Sequence, residues 1–309
     1  MDISLLWIPA GLVAAAAQTG RNAAQAGLTK TLGPVGAAHI RFLYALPFPA
    51  VILPILLIVL GESLPSPGGR YWMFLLLGSV LQISAMVLML WAMDKRSFSV
   101  VTALTKTEPV QVALFAAVFL SEHFPPVVWC AICLATAGVV ITVLRPSKKQ
   151  EGPVPGLLSR TLVIGAGVAS GACFALCSLC LQIAVRDLTG HSPVVQSTTT
   201  LVLNLAAQTI ILIVLMSLFD KSALIGGLKV WKSSLGVGFL GAVASFFWFF
   251  AFALASAANV RTLGLIEVLM AYFASRSLLH QNTTRREILG MAMIVVGVLL
   301  LLWRHVFTP

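Results

Sequence analysis

The sequence has little charge. Only 10% of its 309 residues are Asp, Glu, Lys or Arg, where a soluble domain carries about 25%. A chain this long cannot cover a water-facing surface with so few charges, which excludes a soluble globular protein and makes the bilayer its solvent. Acidic residues are scarcer still, ten against twenty basic ones. No Walker loop, HExxH helix, nucleophile elbow or triad spacing occurs, so nothing points to an enzyme or to ATP chemistry, and no cofactor or metal is expected. No basic-aromatic stripe accompanies the net charge of +10, and nucleic acid is therefore not the expected partner. Cysteines number five and all lie in apolar runs. Cys130-x-x-Cys133 has redox or metal spacing but no nearby His, Asp or Cys to complete a site. Cys173, Cys177 and Cys180 recur at helical spacing. All five read as small packing residues, and no disulfide framework is implied.

What is present in excess is apolar length. Hydrophobic residues make up 59% of the chain and the mean hydropathy is +0.99. About 20 helical residues cross a hydrocarbon core, and runs of that order fall near 5–27, 36–60, 71–93, 97–120, 126–145, 158–185, 193–219, 231–255, 258–280 and 287–305. The runs are continuous rather than alternating, which excludes a β-barrel. The first one lacks a preceding basic segment and is long for a signal peptide, so it reads as a span. The expected fold is an all-α integral membrane protein of about ten transmembrane helices, multi-pass in the inner or plasma membrane. Trp7, Trp72, Trp129, Trp231 and Trp303 lie near span ends, where interfacial anchors belong.

One connection reads as a linker. Residues 146–156 combine Pro, Gly and charge that lipid cannot accept. They separate an expected five-helix repeat at 1–145 from another at 157–309. A shift of 159 residues without gaps lays Gly68 on Gly227, Trp72 on Trp231, Glu108 on Glu267, Gly138 on Gly297 and Arg145 on Arg304. An odd number of spans per repeat inverts the second copy, and inverted repeats are a transporter architecture with a midplane site.

Span four carries Thr107-Glu108-Pro109-Val110, then Phe119-Leu120-Ser121-Glu122, and span five carries Ala137-Gly138-Val139. With His39-Ile40-Arg41-Phe42 at the opening of span two, this pattern resembles the EamA-type drug/metabolite transporter superfamily. The second half departs from it, with Leu279-His280-Gln281 at the "LGE" position and no Pro after Glu267. The resemblance implies a permease working by alternating access, with a cavity lined by spans one, three, four, six, eight and nine, and it leaves the substrate open.

Ionisable groups inside spans are costly and therefore functional candidates: Arg21, Arg41, Lys106, Glu108, Glu267 and Arg276. Glu267 is the sharpest, with no cation one turn away. It could carry a proton, since desolvation favours the neutral acid, or hold a substrate ammonium. Its repeat mate Glu108 follows Lys106 by two residues, and about 200° of helix rotation would point the two apart. Pro109 relaxes that constraint by freeing the Thr105 carbonyl. Glu108 could otherwise pair with Lys106 or Arg41, and Lys106 could hold a substrate carboxylate or phosphate. Gln18, Arg21 and Asn22 make span one polar enough to face a wet cavity, although Arg21 could snorkel to a surface. Arg41 and Arg276 sit toward span ends and read as interfacial. Trp91 and the run Phe246-Phe247-Trp248-Phe249-Phe250 could stack on a substrate, with Phe246, Trp248 and Phe250 the named candidates, or could serve lipid contact and packing. Gly167-x-x-x-Gly171 and Gly241-x-x-x-Ser245 permit close helix contact.

The expected function is secondary transport, in the direction of export, of a small zwitterionic or amphiphilic, amino-acid-like metabolite. The alternatives are a proton-coupled multidrug or organic-cation exporter, an organic-phosphate or nucleotide-sugar exchanger using Lys106, Arg21 and Arg261, and a non-transporting membrane module. A monomer suffices for a cavity, and a dimer is compatible. Orientation is contested. Arg70, Arg186 and Arg304 lie on the side of the termini, and Lys30, Lys95, Arg96, Arg145, Lys148, Lys149, Arg160, Lys221, Lys229, Lys232, Arg285 and Arg286 on the other. The positive-inside rule then puts both termini outside, whereas the family resemblance puts them in the cytoplasm.

Overall fold

A computed structural model describes residues 3–95, 98–143, 157–219, 221–279 and 285–307. Every regular element among them is helical. After a short 3-10 turn come α1 (Trp7–Leu43), α2 (Pro47–Leu60), α3 (Gly69–Lys95), α4 (Phe98–Thr105), α5 (Glu108–Phe119), α6 (Pro126–Val143), α7 (Leu157–Asp187), α8 (Pro193–Phe219), α9 (Lys221–Lys229), α10 (Trp231–Leu254), α11 (Ala257–Leu263), α12 (Ile266–Leu279) and α13 (Arg285–Phe307). Prolines open several of them. Pro47, Pro126 and Pro193 are first residues, where a missing N–H costs nothing and φ is already helical. Gly61, at φ 65°, ends α2 in the left-handed cap that a side chain would disfavour.

Each expected apolar run coincides with helix. Among the described residues, six helical stretches are long and apolar enough to cross a membrane: His39–Leu60, Gly69–Met93, Thr161–Asp187, Pro193–Phe219, Ser234–Leu254 and Arg285–Trp303. Pro126–Thr142 is a shorter apolar helix. Runs four and nine are each divided, into α4 with α5 and α11 with α12.

The first two runs differ from expectation. No break separates them at 28–35, and α1 continues to Leu43. It is nevertheless not one straight rod. A side chain on Gly241 of α10 would meet Arg21 Cδ at 3.4 Å and Ala45 Cβ at 3.9 Å, whereas 24 residues of straight helix would separate Arg21 from Ala45 by about 36 Å. The chain therefore folds back between them, an interval that contains Gly33-Pro34, and crosses the same helix twice.

The chain divides into two compact units. One comprises residues 1–83 and 177–260, the other 84–176 and 261–309. The division falls within α3, α7 and α11 and does not follow the sequence halves. The 146–156 linker lies outside the described residues.

In the first unit α10 packs against both arms of α1 and against α8. Tyr71, Leu75, Ala184 and Leu188 form an apolar cluster. Arg186 donates to the carbonyls of Phe252 (2.9 Å) and Ala255 (2.7 Å) at the end of α10, where a helix runs out of its own amide donors. Trp7 is 1% exposed, so it is a core residue and not the interfacial anchor expected. Trp72, Trp231 and Trp303 are exposed, and Trp129 is half-buried. Cys177 and Cys180 are buried packing residues and Cys173 is half-buried. Cys130 and Cys133 are exposed on α6 and so do not pack a core.

In the second unit α6 and α13 meet with backbone close to backbone at glycines. A Cβ on Gly138 would lie 2.6 Å from the Gly290 carbonyl oxygen, and one on Gly297 would lie 2.8 Å from that of Ala131. Any residue larger than glycine must push the helices apart. The two contacts are one contact seen twice: the 159-residue shift turns Gly138 into Gly297 and Ala131 into Gly290. Low numbers on α6 face high numbers on α13, so these repeat-equivalent helices run antiparallel. The second repeat is therefore inverted relative to the first, as odd span counts require.

Candidate functional site

The breaks of both divided spans lie in the second unit. In the first, α4 ends at Thr105, Lys106 and Thr107 form a turn, and α5 starts at Glu108. Pro109 has no N–H to return to the Thr105 carbonyl. The Thr107 hydroxyl donates to the Leu104 carbonyl at 2.6 Å, and the Gln111 amide donates to that hydroxyl at 2.9 Å. Gly167 and Gly171 of α7 fit against Leu104 and the Thr105 carbonyl, so the small-residue pair on α7 seats the broken end. In the second span α11 ends at Leu263, Gly264 and Leu265 turn, and α12 starts at Ile266. Here no proline is needed. The breaks coincide within one residue under the repeat shift.

Each break carries one cation and one carboxylate. Lys106 follows the C-terminus of α4, and Arg261 occupies the last turn of α11. Glu108 and Glu267 lie in the first turns of α5 and α12. Every charge sits at the helix end whose dipole favours it. The pairing is crossed between repeats: Lys106 Nζ binds Glu267 Oε1, and Arg261 Nε binds Glu108 Oε1 at 3.0 Å. Glu267 is 6% exposed and Glu108 9%, so neither carboxylate could remain ionised cheaply without its partner.

The pairing joins Lys106 to Glu267 and Glu108 to Arg261, each across two spans. Glu267, which has no cation one turn away in sequence, finds one on another span. The turn between Lys106 and Glu108 removes the ideal helix on which the two residues pointed apart. Arg261, expected only in the phosphate reading, is a full member of the cluster.

The other candidates fall elsewhere. In the first unit Arg21 is buried at 3% exposure and does not snorkel. Its Nη2 donates to Asn22 Oδ1 at 2.9 Å, and its stem lies against Gly241. Trp248 is buried and donates from Nε1 to Gln18 Oε1 at 3.1 Å. Phe246 stacks on Phe250, ring centroids 6.1 Å apart. The aromatic run thus divides as expected, with Trp248 and Phe249 buried and Phe246, Phe247 and Phe250 half-buried. Trp91 is exposed on α3. Arg41 is half-buried and lines a small cavity of the first unit, so it is more than an interfacial residue. The side chain of Arg276 lies outside the described residues. Gln82, Asn204 and Gln208 line that same cavity and escaped the sequence reading, although two amides four residues apart in an apolar run were a visible signal.

A search of curated proteins finds no match. One solved structure, described only as the crystal structure of a protein, is similar in fold, with a TM-score of 0.70 at 15% identity, over 98% of this chain and 99% of the other. The model of the EamA-like transporter family matches twice, at residues 5–144 and again at 161–303. Two copies of one family repeat, apolar helices long enough to span a bilayer and paired charges at two helix breaks lead to one conclusion: the chain is a multi-pass membrane transporter of small molecules and belongs to the EamA-like transporter family.

Proposed function

We propose that the chain moves a small zwitterionic, amino-acid-like metabolite across the membrane by alternating access, as an exporter, and that the crossed ion pairs are its recognition site. The observation that carries this is charge balance. The cluster holds two carboxylates and two cations, each bound to its opposite. In a low-dielectric site a charge that loses its partner is costly. A lone ammonium entering at Glu267 would leave Lys106 uncompensated, and a lone phosphate at Lys106 would leave Glu267 so. A zwitterion brings both signs. Its ammonium replaces Lys106 at Glu267 while its carboxylate replaces Glu267 at Lys106, and the total stays neutral at every step. The same balance argues against the organic-phosphate reading, because Lys106 and Arg261 already have carboxylate partners.

Uptake of labelled amino acids into proteoliposomes tests the proposal. Flux of a zwitterion is expected to vanish in Glu267→Gln and to persist in Glu122→Gln. Equal loss in both variants, or flux confined to organic cations and indifferent to Lys106→Ala, would reject it.

A further inference from the structure

The charged pairs do not account for every polar group at the first break. Gln111 stands three residues after Glu108 on α5, and so lies beside it on one helix face. Its carboxamide folds back over the start of the helix, where Nε2 donates to the Thr107 hydroxyl at 2.9 Å. That contact fixes which way the amide faces. A hydroxyl has one proton to give, and Thr107 gives it to the Leu104 carbonyl at 2.6 Å. Toward Gln111 it only accepts, so the nitrogen belongs on that side, and turning the amide over would set two acceptors against each other. Gly171 of α7 leaves Nε2 its room, since a Cβ there would lie 3.1 Å from it. Gln111 is half-buried. Its Oε1 has no hydrogen-bond partner among the described residues and is not shut off from solvent. The second break has no such group. The 159-residue shift turns Thr107 into Ile266 and Gln111 into Met270, so the turn after Glu267 carries a thioether in place of the anchored amide.

We propose that Gln111 selects the side chain of the substrate, and that the preferred solute is a zwitterion carrying a neutral hydrogen-bond donor, a hydroxyl or a primary carboxamide. The inference rests on the zwitterion reading of the crossed pairs and adds the part of the solute that the charges do not read. With ammonium and carboxylate engaged by the ion-pair residues, the side chain meets Oε1, an acceptor whose orientation Thr107 holds. A hydroxyl or an amide N–H donates to it. An aliphatic side chain displaces water from Oε1 and returns no bond, which leaves an acceptor unsatisfied. A side-chain carboxylate presents only acceptors to an acceptor. A side-chain ammonium donates, but it brings an unmatched charge into a cluster whose signs already balance. Hydroxyl and carboxamide are the groups that satisfy Oε1 and keep the balance.

Uptake of four labelled amino acids into proteoliposomes of the full chain tests it: threonine against its isostere valine, and asparagine against leucine. Within each pair Vmax/KM is expected to favour the donor-bearing member by about tenfold, the discrimination that one hydrogen bond to a partly exposed acceptor gives. Gln111→Met, which gives the first break the thioether of the second, is expected to bring both ratios to near one. Thr107→Val keeps Gln111 but frees its amide to turn, and is expected to lower both ratios several-fold. The ratios of the unaltered chain decide the matter even where Gln111→Met does not fold. Ratios near one in the unaltered chain, with flux still lost in Glu267→Gln, would overturn the role of Gln111 and leave the zwitterion reading standing. Ratios indifferent to a folded Gln111→Met would do the same. Absence of flux for all four amino acids would overturn the zwitterion reading and this inference with it.

Discussion

Glu267 and Lys106 hold each other at a place where neither tolerates being alone. Replacing Glu267 by Gln leaves an ammonium 22% exposed with its main counter-charge gone. Breaking a fully buried pair costs roughly 3–5 kcal/mol, and this partly exposed one is expected at or below the low end of that range, measured as the loss in unfolding free energy in detergent. The double variant Lys106→Gln/Glu267→Gln should recover most of that stability without recovering transport, which separates folding from recognition. Outside the spans, Glu62 makes the fold sensitive to pH. Its carboxylate accepts from the Ser192 backbone N–H at 3.0 Å and faces His191 Nδ1 at 3.3 Å. Hydrogen bonds from Ser192, side chain before backbone, hold the Glu62 carboxyl below its usual range, burial opposes them weakly and His191 adds to them. A carboxyl lowered on folding stabilises the fold above its unfolded pKa, and the contribution is lost as pH falls through the folded one. Amide exchange at Ser192 should therefore accelerate as pH falls below 4.5, the ordinary value for Glu, after correction for intrinsic exchange, and Glu62→Gln should remove that dependence. As single residues the buried charges were legible in the sequence, because an ionisable side chain in an apolar run is conspicuous. Their partners were not. A helix break resets the rotation from Lys106 to Glu108, and pairing across spans has no period to read.

At the scale of elements, the two broken spans show how much a proline explains. Pro109 marks the first break in the sequence, yet the second forms at Gly264-Leu265 without one. The break is thus a property of the repeat, stabilised by charges at four helix ends, and proline only reinforces it. The contact of α6 with α13 is the opposite case, a region where the glycine positions have no room for a side chain of their own. Gly138→Val or Gly297→Val would overpack it, and such insertions cost about 1–3 kcal/mol. Each should lower the thermal midpoint in detergent. Because the contacts are repeat-equivalent, the two variants should act to a similar degree and add less than independently when combined. The run lengths in the sequence located these helices well. They misjudged the first pair, since α1 continues through the expected gap and the position of Gly241, beside both Arg21 and Ala45, shows that the chain has turned back.

For the whole molecule, the inverted repeat fixes one constraint on topology: the two halves must cross the bilayer in opposite senses. The loop charges predict which sense, and the family resemblance predicts the other. The positive-inside rule puts Lys95, Arg285 and Arg286 in the cytoplasm and both termini outside. A reporter fused after Pro309 that is active only outside the cytoplasm should therefore give signal, and one active only inside should not. The reverse result would mean that the family's orientation overrides the charge bias of this chain. The division of the molecule into contact units was not legible at all. Sequence similarity follows the two repeats, whereas compactness groups segments of both.

The crossed pairs also impose an order in time. Lys106 and Glu108 leave the ribosome long before Glu267 and Arg261 exist, 153 residues separating Glu108 from its partner at 261. At about 5–20 residues per second, span four must wait roughly 8–30 s without the partners that Glu267 and Arg261 supply. A segment in that condition is poorly suited to lipid, so it should linger beside the insertion machinery or in water until span nine arrives. The first repeat is then a dependent half during biosynthesis, and the last spans to be made are the ones that release it into the membrane.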